Sequence, residues 1–207
     1  MGRSYNTTVT VSKGIHNISS PLDLVYESMS GSSERIVYLS GDVNEHSISN
    51  VITNLLSLAN QDSKSPITLI VSTYGGSVDE MFSLYDVMKF LSCPVHTIGL
   101  GKIMSAGILL LSSGKKGTRL LGSNARLMIH PIAGHAIGKM FDLENEVAEC
   151  RRMQNLMIEL LKKETKMTKA DIDKIMNLSH DFYLTPEQAV KYGIVDKIIG
   201  SPTKWNI

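Results

Sequence analysis

Cysteine is scarce in this chain: only Cys93 and Cys150 occur among 207 residues. Two thiols are too few for a disulfide framework and lack metal-ligand spacing, so reduced thiols in a cytoplasmic compartment are expected. Charge of one sign is lacking as well. The 21 Lys and Arg nearly balance 20 Asp and Glu, leaving a formal net charge of +1. Because the two signs are mixed along the chain, no broad footprint for nucleic acid or an anionic membrane is left. The densest basic pairs, Lys115-Lys116 and Lys162-Lys163, read as solvated turn or helix surface. No uninterrupted apolar run reaches membrane-spanning length. Residues 1–20 contain no apolar signal region, and Asn6 breaks the myristoylation pattern that Met1-Gly2 would open. The expectation is a cytoplasmic protein that takes neither nucleic acid nor membrane as partner.

Several chemical motifs are absent too. Ile103 occupies the first glycine position of a Gly-x-Ser-x-Gly nucleophile elbow, which excludes the α/β-hydrolase pattern. His130 and His135 lack the i, i+4 spacing and the glutamate of a zinc-protease helix. Gly134 to Gly138 does not form the Gly-x-Gly-x-x-Gly of a dinucleotide loop. The chain has no Walker A sequence, so no cofactor and no metal are expected in it.

What is present is a core. With 43% hydrophobic residues the chain can bury one sizeable core, and one domain is expected. The 11 methionines fall mainly on helix faces or in apolar runs, as core filling would have them. Residues 1–33 form an N-terminal segment closed by Gly31-Ser32-Ser33, and no repeat or low-complexity tract follows. Strands are predicted at Ile36 to Leu39, Ile67 to Val71, Val95 to Leu100, Arg119 to Leu121, Leu127 to Ile129 and Val195 to Ile199. Ile48, Val51, Ile52, Leu55, Leu56 and Ala59 trace one helix face. Met81, Leu84, Tyr85, Met88 and Leu91 trace a second, stopped by Pro94. A long helix is predicted over about Leu143 to Lys163, with short ones at Lys169 to Met176 and Pro186 to Tyr192. Alternating β and α segments imply an α/β fold with a largely parallel sheet.

The candidate chemistry lies at strand ends. Gly101 to Gly107 places Ser105 where an apolar strand runs into a helix, beside free backbone N–H groups able to hold an oxyanion. A serine hydroxyl needs a base within reach, and His130 ends the apolar run Arg126 to Ile129. Gly75-Gly76 follows the strand Ile67 to Ser72 and permits close backbone approach. The candidate donors are the amides of Gly76 and Ala106. A carboxylate should orient the imidazole, and by spacing Asp142, Asp173 and Asp181 all qualify; Asp181 directly precedes Phe182-Tyr183-Leu184.

Together these segments resemble the ClpP family of serine peptidases, the proteolytic subunit of the Clp protease, in a divergent form. The similar stretches are Tyr-Gly-Gly-Ser-Val at 74–78, Ser-Leu-Tyr-Asp-Val-Met-Lys-Phe at 83–90 and Gly-Lys-Ile-Met-Ser-Ala-Gly at 101–107. Ala-Arg-Leu-Met-Ile-His-Pro at 125–131 and Tyr-Leu-Thr-Pro-Glu-Gln-Ala-Val-Lys-Tyr-Gly-Ile-Val-Asp at 183–196 follow. The resemblance spans about residues 34–200 and leaves 201–207 as a tail. It implies Ser105 as nucleophile, His130 as base, Asp181 as third member, and the backbones of Gly76 and Ala106 as oxyanion donors. It implies a crotonase-like α/β head with a parallel sheet and flanking helices. A handle at about 133–163 would consist of a long helix with an adjoining strand. Seven subunits would form a ring, and two rings would stack as a tetradecamer. An AAA+ unfoldase of the ClpX, ClpA or ClpC type would feed in unfolded polypeptides and would itself use the ATP.

The departures are local. The family's Ser-Pro-Gly-Gly reads Thr73-Tyr74-Gly75-Gly76, and Ala106 follows the serine where methionine is common. The handle's paired glycines read Gly134-His135, and its Gly-Gln-Ala-Thr-Asp reads Gly138 to Asp142. His180 replaces the arginine before the triad aspartate and would make a ring–ring contact pH-sensitive. Phe90 is kept among the aromatics of the docking cleft, whereas Thr68 and Ile70 replace others. Competing readings are a non-catalytic ring subunit, a crotonase-type acyl-CoA enzyme and a signal-peptide-peptidase-like enzyme. The second of these needs a CoA surface and a carboxylate acid/base that the sequence does not display.

Overall fold

A computed structural model describes residues 35–134 and 136–199; the expectations for residues 1–33 and 201–207 and for His135 lie outside them. The chain opens with β1 (Ile36–Val43), α1 (Glu45–Gln61), β2 (Ile67–Gly76), α2 (Val78–Phe90) and β3 (Val95–Met104). Next come α3 (Ala106–Ser112), β4 (Arg119–Gly122), β5 (Arg126–Ile129) and α4 (Met140–Glu164). The last are α5 (Lys169–Met176), β6 (Phe182–Leu184), α6 (Pro186–Lys191) and β7 (Lys197–Ile199).

Local chemistry sets the helix starts. Asn44 and Ser47 cap α1 reciprocally, as Thr168 and Asp171 do for α5 and Thr185 and Gln188 for α6. Pro186 follows the last of these caps at the first helical turn, where its missing N–H costs nothing. Buried Arg35 takes up the other end of α1. Its guanidinium donates to the carbonyls of Leu58, Asp62, Ser65 and Pro66, at the end of the helix and in its exit turn.

The strands run β1-β2-β3-β4-β7 in parallel, giving the α/β architecture the alternating pattern implies. The important feature is that β3 forks. Its first half, Thr97 to Gly99, pairs with β4, and its second half, Lys102 to Met104, pairs with β5. The chain leaves β4, turns back through an Ala125 N–H to Gly122 carbonyl bond, and rejoins the same strand further along. The ends of β3 and β5 therefore lie side by side. β6 then pairs antiparallel with β5, with Leu127 opposite Leu184 and Ile129 opposite Phe182.

The core lies between this sheet and the helices. Ile48, Val51 and Leu55 of α1 and Met81, Leu84 and Met88 of α2 are buried, and every residue of α3 is inside. At ~25 cal/mol per Å² of apolar surface removed from water, these faces supply most of the drive to pack. α4 behaves differently. Of its 25 residues only Met157, Leu161 and Glu164 are buried, all in the C-terminal part. Its first turns project from the body, with Met140 72% and Phe141 77% exposed. Residues 131–134 and 136–139 carry no strand. The strand expected beside the long helix is not formed among the described residues, where no described strand pairs with this segment. Among the described residues no helix is long and apolar enough to cross a membrane.

Candidate active site

The backbone at Ser105 is unusual before its side chain is considered. Its φ of 53° and ψ of −120° make it the single non-glycine residue with positive φ among those described. Such a conformation costs on the order of 1–3 kcal/mol and persists where surrounding structure enforces it. Here two neighbours do so: the Ser105 N–H donates to the Met128 carbonyl at 2.8 Å, and the Ser105 carbonyl accepts the Ile108 N–H that starts α3. Although Ser105 occupies the N-cap position, its hydroxyl makes no capping bond. The oxygen is left for something else.

That partner is His130. The fork in β3 sets the first residue beyond β5 beside the residue beyond β3, and His130 Nε2 lies 2.8 Å from Ser105 Oγ. Both side chains are half-buried. The separation of 25 positions in sequence thus closes to hydrogen-bond distance in space.

The neighbourhood of Asp181 is set by the antiparallel pair of β5 and β6. One step beyond the Ile129–Phe182 pair, the register of β5 and β6 brings Asp181 opposite His130. Directly opposed residues of an antiparallel pair have Cβ atoms about 4.5–5.5 Å apart, within side-chain reach. No hydrogen bond joins Asp181 to His130 among the described residues, and Asp181 is exposed. Of the other carboxylates admitted by spacing, Asp142 accepts from the Lys139 N–H at the start of α4. Asp173 pairs with Lys169 on α5. Both are occupied as local helix partners.

The glycine pair has a division of labour. Gly75, at φ 99°, presses against Ser105: a Cβ there would stand 2.6 Å from Ser105 Cβ and 3.1 Å from its Oγ. Gly76, at φ 148°, lies against β1, where a Cβ would run into the Val43 carbonyl. No other residue fits either position without displacing backbone. The sequence reading singled out the Gly76 amide and overlooked Gly75 as the nearer neighbour of Ser105. It also passed over Thr73, fully buried, whose Oγ1 accepts the Gly75 N–H at 2.9 Å. A threonine two residues before a glycine is the signal that was there to be read.

Beyond the site a cavity of about 500 Å³ opens between the start of α2, the segment after His130 and the exposed part of α4. Val78, Ile132, Ala133, Cys150, Met153 and Gln154 are among the residues that line it. Gln154 ties two of its walls together, its Oε1 accepting the Ile132 N–H at 2.6 Å. Among the described residues no cluster of His, Cys, Asp or Glu could hold a metal ion.

A parallel sheet that forks to bring a strained serine and a histidine together is thus the frame of this chain. The family model described as Clp protease matches residues 23–202. A curated protein of Prochlorococcus marinus (strain NATL2A), the ATP-dependent Clp protease proteolytic subunit 2, is 34% identical over 172 residues. That match covers 83% of this chain and 85% of the relative. The chain belongs to the Clp protease family, and the resemblance read from its motifs is borne out at that level.

Proposed function

We propose that this protein is a serine endopeptidase, the proteolytic subunit of a self-enclosing Clp-type protease that cuts unfolded polypeptides. The observation that carries the reading is the 2.8 Å approach of His130 Nε2 to Ser105 Oγ on a strained turn. In the proposed reaction the Ser105 hydroxyl donates to Nε2 and attacks the peptide carbonyl as His130 takes its proton. The amides of Gly76 and Ala106 hold the oxyanion. His130 then returns the proton to the leaving amine, and water releases the acyl group by the reverse sequence. Asp181 accepts from Nδ1 and stabilises the imidazolium. The cavity bounded by Val78, Ile132 and Cys150 receives the side chain next to the scissile bond. Seven copies form the ring, two rings stack through α4, and an AAA+ unfoldase spends the ATP that this subunit does not bind. Phe90, 82% exposed at the end of α2, is offered as part of the docking surface for that unfoldase.

The test is intact mass after treatment with a serine-directed fluorophosphonate, run beside hydrolysis of an unfolded protein, for the wild type and Ser105→Ala. One adduct and cleavage are expected in the wild type, and neither in the variant. Cleavage retained by Ser105→Ala overturns the assignment. No adduct, with recovery only in mixed rings, favours a non-catalytic ring subunit. Thermal stabilisation by an acyl-CoA favours the crotonase-type enzyme.

A further inference from the structure

Thr73 is a buried hydroxyl in the middle of an apolar strand, and the reaction as proposed gives it no role. Its two γ groups point to the two limbs that flank Ser105. Oγ1 accepts the N–H of Gly75, the residue packed against the serine, at 2.9 Å. Cγ2 packs on Gly107 at the start of α3, so closely that a Cβ on that glycine would stand 2.6 Å away. Gly75 precedes Gly76 and Gly107 follows Ala106, the two residues proposed to donate to the oxyanion. One side chain, 0% exposed, thus touches a chain neighbour of each proposed donor.

We infer that Thr73 is a positioning residue of the oxyanion site: its hydroxyl fixes the Gly75-Gly76 turn. The inference rests on the peptidase reading. A glycine pair at positive φ has many conformations open to it. A buried amide such as that of Gly75 needs a partner, and Thr73 Oγ1 is the acceptor two residues away. Without it the turn relaxes, and the donors leave the place where the oxyanion forms. Misplacing such donors costs turnover rather than substrate affinity, because the contact strengthens only in the transition state.

Thr73→Val and Thr73→Ser separate the two γ groups. Thr73→Val keeps the shape and removes the acceptor; kcat is expected to fall between about tenfold and a hundredfold with KM unchanged. The pH profile of kcat/KM stays in place, because His130 is untouched. Hydrogen exchange at the Gly75 amide should accelerate in the same variant. Thr73→Ser keeps the acceptor and should retain kcat within about threefold, with wild-type protection of Gly75. Wild-type kcat and Gly75 protection in Thr73→Val overturn the inference. Where Thr73→Val does not fold, a tenfold loss in folded Thr73→Ser overturns it equally. Absence of turnover in the wild-type protein sinks the peptidase reading itself, and the positioning role with it.

Discussion

A serine that begins a helix ordinarily spends its hydroxyl on the helix's own second or third amide. Ser105 cannot, because its positive φ turns the side chain away from α3 and toward β5. The strain is held by the Met128 carbonyl, and the oxygen is handed to His130. The imidazole in turn needs an orienting group at Nδ1. Asp181, one register step past the last β5–β6 pair, is the group proposed for it. Under the proposed mechanism Asp181→Asn folds normally and loses kcat by on the order of 10³–10⁴-fold, since an amide holds the wrong tautomer. Steady-state kinetics beside a thermal melt checks this. A kcat within tenfold of wild type removes Asp181 from the reaction and returns the orienting role to an unidentified group.

Among the elements, β4 and β7 are locked at the end of the sheet by one ion pair. Arg119 is 3% exposed and donates through Nε and Nη2 to both carboxylate oxygens of Asp196. Its Nη1 reaches the carbonyls of Ser112 and Glu164, tying α3 and the base of α4 to the same point. Burial alone would raise the Asp196 pKa, but the Arg119 side chain and backbone, with the Gly117 N–H, outweigh it and hold the carboxyl below 3.8. A group depressed in the folded state contributes stability above its unfolded pKa and loses it as pH falls through the folded one. Asp196→Asn should therefore unfold at neutral pH with about 3 kcal/mol less free energy, because a buried guanidinium is left without its counter-charge. Urea titrations should show that gap narrowing as the pH falls below the ordinary aspartate pKa and through the lowered folded one. A constant gap excludes the pair as the source. The same elements show what a sequence discloses. Val95 to Leu100 is legible as a strand, but β3 continues to Met104 through Gly101 and Lys102, because pairing with β5 overrides the break in apolar pattern. Phe182 to Leu184 is too short to read as a strand and is made one by β5 alone. Ser105 and His130 are legible because strand ends are punctuated by small and polar residues. Thr73 is harder to read, since a threonine inside a strand resembles core and only its offset of two residues from Gly75 points to the bond it makes.

For the molecule as a whole, the first turns of α4 leave their apolar side uncovered among the described residues. Leu143, Val147, Cys150, Met157 and Leu161 fall along one side in sequence, yet only Met157 and Leu161 are buried, and Val147 is 50% exposed. Ile137, Met140 and Phe141 stand at 92%, 72% and 77% exposed where the helix leaves the body. Several large apolar side chains exposed on one segment are what an interaction surface requires. Under the proposed assembly it is covered by the handle of a second ring. Native mass spectrometry should then find fourteen copies of the 22.8 kDa chain in the wild type. Met140→Asp with Phe141→Asp places two carboxylates in that contact, where like charges from facing handles repel. The double variant should give seven copies, because the proposed assembly builds each ring from the heads, and each chain should still melt cooperatively since neither side chain is part of the core. Fourteen copies in the double variant, or a wild type that stays monomeric, would show that α4 does not join the rings.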